Sequence, residues 1–182
     1  YKRQIVLSNS LTWMFFFWEI TTLCSFALIG FTKTEEAVNN SFRQLILNLI
    51  GGIAFLAANM ILASQCGLLE LDALLLSDTA DKYILLPVAL LCLAGIVKSA
   101  QMPFHTWLLG AMVAPTPTSA LLHSSTMVKA GVFILLKLSP LLQDNLVGYM
   151  VMTVGGLTFL LASMAAISQT NAKRVLAYST IA

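Results

Sequence analysis

Charge is what this sequence has least of. Only 10% of its 182 residues are Asp, Glu, Lys or Arg, whereas a soluble domain carries roughly a quarter. With 58% apolar residues and a mean hydropathy of +0.86, most of the surface is not built for water. The formal charge is a small +2 and no basic run occurs, so no nucleic-acid partner is expected. Cysteine is scarce too. Cys24, Cys66 and Cys92 are far apart and form neither a CxxC pair nor a Cys/His cluster, so neither a disulfide framework nor a metal site is indicated. HExxH, GxSxG and GxxxxGK[ST] are missing, which removes the common metalloprotease, hydrolase and nucleotide-binding signals. No catalytic site and no cofactor are expected in the chain itself.

What is present is a succession of apolar stretches, each close to the roughly 20 residues a spanning helix needs. The expected fold is all-α, a polytopic transmembrane bundle with residues 1–182 as a single transmembrane domain. The first span runs from about Ser10 to Phe31, followed by a polar link from Thr32 to Asn40. The second covers about Ser41 to Ser64, and its Gly51-Gly52 pair lets a neighbouring helix approach closely. Gln65 to Lys82, with Glu70, Asp72, Asp78 and Asp81, suits a short amphipathic helix at the interface. The third span goes from Tyr83 to about Leu109 and should break near Pro103. Thr116 is the expected N-cap and Pro117 the first position of the fourth span, which ends near Ser139-Pro140. The fifth, about Asn145 to Ser168, is uncharged and reads as a packing helix from Gly148, Gly155, Gly156, Ala162 and Ala166.

Asn171 to Ala182 resembles the start of a sixth helix, too short to cross. The chain opens at Tyr1 without a signal-peptide pattern, so it is expected to be an internal fragment of a longer protein. Five spans put Lys2, Arg3, Lys82 and Lys137 on one side and Lys33, Arg43, Lys173 and Arg174 on the other. The positive-inside rule is silent on such a tie.

Three charges fall well inside spans: Glu19, Lys98 and Lys129. A charge at mid-depth costs roughly 2.5–3.5 kcal/mol even on the lenient insertion scale, so each needs a partner, water or neutralisation. Burial favours the neutral form of a lysine and a nearby carboxylate favours the charged form. A buried lysine with a gated carboxylate partner therefore loads and releases a proton, and Glu19 is the expected partner of Lys98. Pro103 should bend or break the helix just after Lys98, since it crowds the turn and donates no hydrogen bond. Broken backbone at depth is tolerated where it is buried or lines a wet cavity.

His105 and His123 are candidate proton-relay groups. On the fourth span Ser119, His123 and Thr126 fall within about 60° of one another, with Lys129 about 60° further round. Asn48 and Asn59 read as interhelical hydrogen-bonding groups rather than path residues.

The stretch KSAQMPFHTWLLGAMVAPTPTSALLHSSTMVKAG, Lys98 to Gly131, resembles the signature of the antiporter-like subunits of respiratory complex I (NADH-quinone oxidoreductase), Mrp-type antiporters and membrane-bound hydrogenases. FFFWEITTLCSFALIGF resembles the family's glutamate-bearing helix, and NAKRVLAYST the start of its next broken helix. The resemblance implies that Glu19 and Lys98 are the family's paired glutamate and lysine, with His123 and Lys129 as relay residues. It implies that the five spans are the fifth to ninth of about fourteen, with the Lys173–Arg174 side facing the cytoplasm or matrix. Leu109, Gly110, Val113 and Ala172 stand where many relatives carry a proline or an acid, which argues against an acidic proton antenna at that mouth. Lys129 leans towards the Mrp or hydrogenase-like branches.

The implied function is translocation of protons, or of Na⁺ and H⁺, along a Glu19–Lys98–His123/Lys129 path with His105 nearby. The chain would be a membrane subunit of a multisubunit, ion-translocating oxidoreductase or antiporter. It would lie in an energy-transducing bilayer: a bacterial or archaeal cell membrane, or the mitochondrial inner membrane. Two other classes stay open at this point. A membrane cytochrome would use His105 and His123 as haem ligands, and a passive scaffold would hold its charges as static pairs.

Overall fold

The computed structural model describes residues 2–67, 70–77, 82–124 and 127–182, without the side chains of residues 2, 66, 82–83 and 123–124. Its helices are α1 (Lys2–Leu7), α2 (Leu11–Ile29), α3 (Glu35–Ile61), α4 (Leu71–Leu75), α5 (Lys82–Lys98), α6 (Thr106–Gly110), α7 (Thr116–Ser124), α8 (Met127–Leu138), α9 (Leu146–Ile167) and α10 (Ala172–Ile181). No β-strand occurs among the described residues; a single bridge joins Ser10 to Glu70.

Local chemistry explains the boundaries. Thr34 caps α3 by accepting from the Ala37 N–H at 3.3 Å, and Glu35 and Glu36 in the first turn complement the positive end of the helix dipole. Asn171 caps α10 by accepting from the Lys173 N–H at 2.9 Å. α7 begins one residue before the sequence reading placed it: Thr116 is already helical, and the Pro115 carbonyl accepts from the Ser119 N–H at 3.0 Å. The amphipathic stretch around Glu70 contracts to the single turn and a half of α4, with Leu71 and Leu74 buried. Asp78 and Asp81 lie outside the described residues.

Four segments are long and apolar enough to cross a bilayer: 11–32, 35–65, 116–142 and 146–167. The third expected span is different. α5 has 17 residues and stops at Lys98, while the short α6 resumes only at Thr106. The break falls where expected, just after Lys98, but no helix reaches Pro103 to be broken by it. Ala100 takes a left-handed conformation at φ 57°. The Gln101 N–H reaches back to the Ile96 carbonyl at 3.0 Å and the Ala100 N–H to the Val97 carbonyl at 3.1 Å. This is the double bond pattern that closes a helix around a left-handed residue, a place usually taken by glycine.

α3 is the central element, packing on α2 and α5, while α5 also packs on α8. Glycine permits both close approaches. A Cβ on Gly51 would lie 3.1 Å from the Val97 Cβ, and one on Gly131 would lie 2.5 Å from the Ser99 nitrogen and 2.6 Å from the Gly95 carbonyl oxygen. Of the α9 glycines only Gly148 works in this way: a Cβ there would run into the Leu142 carbonyl, 3.0 Å from its carbon. Nothing lies within 4 Å of a Cβ at Gly155 or Gly156 among the described residues, whereas Ala162 is buried, together with Thr158. Two apolar clusters result. One holds Trp18, Phe55 and Leu91; the other holds Ala100, Trp107 and Leu108, and Lys98 sits where α5 passes from the first to the second.

Candidate functional site: a buried lysine at a helix break

Lys98 is the last residue of α5 and is 1% exposed. Its position suits a cation, because the unpaired carbonyls at a helix C-terminus carry negative partial charge. The ammonium reaches across to α2, donating to the Trp18 carbonyl at 3.1 Å and to the Thr22 hydroxyl at 2.5 Å. It also lies 5.0 Å from the centre of the Trp18 ring, within cation–π range. The Trp18 carbonyl is a focus in its own right, since it accepts from the hydroxyls of Thr21 at 2.7 Å and Thr22 at 3.3 Å.

Glu19 follows Trp18 on the same helix, and its charge acts on that of Lys98. The two do not form a contact ion pair. The Glu19 carboxylate turns towards α3, where a Cβ on Gly52 would fall 2.5 Å from Oε1, and that buried oxygen has no hydrogen-bond partner. The expected partners are thus brought to the same pair of helices, but the lysine rests on a hydroxyl and a carbonyl instead of on the acid.

The remaining expected residues are more scattered. Pro103 follows a cis Met102–Pro103 bond in the exposed part of the break. His105 is half-buried at the start of α6, with its Nδ1 buried and unpartnered. His123 is on α7, but its side chain lies outside the described residues, as does Thr126. Lys129 is on an exposed face of α8. Gly131, two residues on, faces the backbone of α5, and a two-residue step turns a helix by about 200°. Lys129 therefore points away from Lys98. Asn59 does bridge helices, donating to the Leu11 carbonyl at 3.2 Å, whereas Asn48 bonds within its own helix to the Gln44 carbonyl at 3.0 Å.

Sequence reasoning missed Thr22, although a signal existed. Trp18, Thr22 and Ser25 recur at i, i+4 and i+7, and all three are buried, so two hydroxyl residues share the helix face that carries the lysine's carbonyl.

A buried lysine at the break of a discontinuous helix, packed on a glutamate-bearing helix, lies within a bundle that has four segments long and apolar enough to cross a membrane. Residues 8–182 match the family model described as NADH:quinone oxidoreductase/Mrp antiporter, TM. A Staphylococcus haemolyticus protein, whose name proposes it as antiporter subunit mnhA2, is 40% identical over 97% of this chain and 23% of its own length. The Staphylococcus aureus protein of the same name is also 40% identical, with the same coverage. Among solved structures, the Mrp complex from Dietzia sp. DQ12-45-1b superposes with a TM-score of 0.91 at 37% identity, over 98% of this chain and 20% of that one. The archaeal membrane-bound sulfane sulfur reductase complex superposes with a TM-score of 0.87 at 26% identity, over 99% of this chain and 38% of that one. The chain belongs to the NADH:quinone oxidoreductase/Mrp antiporter transmembrane family. It spans about a quarter of the length of the curated relatives it matches.

Proposed function

We propose that this chain forms one half of an ion path, for H⁺ or for Na⁺ and H⁺, with Lys98 as its central carrier. It would serve as a membrane subunit of a multisubunit complex in a bacterial or archaeal cell membrane. The carrying observation is the ammonium of Lys98, 1% exposed and held by the Trp18 carbonyl and the Thr22 hydroxyl, beside Glu19, whose buried Oε1 has no hydrogen-bond partner. A static ion pair would bring the charges into contact. Here the acid and the base are neighbours held apart, so a small rotation of either side chain changes which group carries the proton.

On this reading His105, at the start of α6, acts near the break, and His123 on α7 is a further relay group. Lys129 faces outward from α8, so within this chain the line runs between Glu19 and Lys98, where burial and partner charge set which group is protonated. Both solved relatives are multisubunit membrane complexes, which supports further membrane subunits as partners. The test is Lys98→Met in the full-length protein within its complex, assayed in inverted membrane vesicles. Transport should be abolished while the subunits still assemble. Undiminished transport in an intact Lys98→Met complex would refute the proposal, and loss of assembly alone would mark Lys98 as a scaffold residue.

A further inference from the structure

Glu36, Asn40, Gln44, Asn48 and Gly52 stand at steps of four along α3. Residues four apart are neighbours on a helix, each step offset by about 40°, so the row runs about 24 Å along the helix and winds about 160° around it. At its outer end Glu36 and Asn40 line a polar cleft of about 320 Å³ together with Arg43, Thr106, Gln169 and Arg174. At its inner end Gly52 carries the Glu19 carboxylate. Between them Gln44 and Asn48 are 0% and 1% exposed.

These two amides use their donors and leave their acceptors free. Gln44 Nε2 donates to the Ser25 hydroxyl at 2.9 Å, and Asn48 Nδ2 donates to the Gln44 carbonyl. Gln44 Oε1, Asn48 Oδ1 and Glu19 Oε1 are all buried without a partner. Buried polar atoms in folded proteins are almost always satisfied, by protein or by ordered water. Three unsatisfied acceptors along this row, leading from a polar cleft to a carboxylate, call for donors that the described residues do not supply. Beside this row α2 offers Thr22 and Ser25, both buried, and the Ser25 hydroxyl donates onward to the Thr22 carbonyl at 2.7 Å.

We infer that the face of α3 carrying Asn40, Gln44 and Asn48 is a water-lined inlet, through which the ion moves between the Arg43–Arg174 cleft and Glu19. The amides act as positioning residues: their free oxygens order water donors and turn the line towards the Glu19 carboxylate. The inlet runs along α3, and it deepens the reading of Lys98 as an ion carrier on which it rests.

Hydration and transport test it separately, in the full-length subunit within its complex and with Cys24, Cys66 and Cys92 replaced. Silver ion, close to water in size and reactive with thiolates, is applied from the side bearing Arg174. Asn40→Cys, Gln44→Cys and Asn48→Cys should each be blocked, with Asn40→Cys fastest, while Phe55→Cys in the apolar core stays free. A Gln44→Cys protein as unreactive as Phe55→Cys, beside a labelled Asn40→Cys, overturns the inlet. Labelling should persist in the Lys98→Met background, so the inlet stands or falls independently of the carrier. In transport, Gln44→Leu combined with Asn48→Leu should slow the ion at least tenfold in an assembled complex, and Gln44→Asn should restore most of the rate. Full transport by the double variant also overturns it.

Discussion

The Glu19 carboxylate rests on the bare backbone of Gly52, so that a methyl group there would fall 2.5 Å from Oε1 and 3.0 Å from Cδ. The obstructing atoms are the far end of a flexible side chain, so Gly52→Ala should leave the fold intact and displace the acid instead. A displacement costing about 1.4 kcal/mol in the rate-limiting transfer slows transport about tenfold. Subunit assembly should be normal, and initial rates in vesicles measure the loss. An assembled Gly52→Ala complex that transports at the parent rate would show that the position of this carboxylate is immaterial.

Thr22 gives the second prediction. Its hydroxyl accepts from the Lys98 ammonium at 2.5 Å, and hydrogen bonds to charged groups are worth about 1.5–3 kcal/mol. Thr22→Val keeps the volume and removes the acceptor, so the lysine should swing towards Glu19 and tighten into an ion pair. Transport should then fall at least about tenfold on the scale of 1.4 kcal/mol per decade, and Thr22→Ser should recover most of it. Equal rates for Val and Ser would mean that the hydroxyl does not hold the lysine.

Gly131 should affect stability more than it affects the ion. Its missing side chain admits the Ser99 nitrogen, the Gly95 carbonyl oxygen and the Lys98 carbonyl carbon, at 2.5, 2.6 and 3.0 Å from where a Cβ would stand. All three are backbone atoms of the α5 terminus and cannot rotate away. Gly131→Ala should therefore destabilise the bundle by roughly 1–3 kcal/mol, the usual cost of overpacking, seen as a lower thermal midpoint of the purified complex. An unchanged midpoint would mean that α8 slides freely on α5.

These residues also show what the sequence made legible. Charges stand out in an apolar chain, so Glu19, Lys98 and Lys129 could be selected by solvation cost alone, and Gly51-Gly52 by its lack of side chains. Distribution around a helix was harder to read. Lys129 and Gly131 are close in sequence, yet they face opposite sides of α8, and only the packing of Gly131 on α5 shows which side is inside. Residues that matter through one hydroxyl or one carbonyl, such as Thr22 and Trp18, look like ordinary helix filling until the lysine's reach is known. The break was placed correctly for an incomplete reason. Pro103 is the visible breaker, but α5 is closed by Ala100, and alanine gives no sequence sign of a left-handed conformation that in most proteins falls to glycine.

That closure leads to the last prediction. The fully buried Trp107 on α6 donates its indole N–H to the Val97 carbonyl at 3.1 Å, so the resumed helix satisfies the end of the interrupted one. The same carbonyl already accepts from the Ala100 N–H at 3.1 Å. Trp107→Phe removes one of two donors and part of a ring, without leaving the oxygen wholly unpaired. The lost hydrogen bond should cost about 0.5–1.5 kcal/mol, with a further penalty for the smaller ring. The purified complex should melt earlier and still transport at more than half the parent rate, because neither Lys98 nor its two acceptors on α2 is touched. Transport lost at an unchanged melting midpoint would contradict this, and would move Trp107 from holding the break closed to handling the ion.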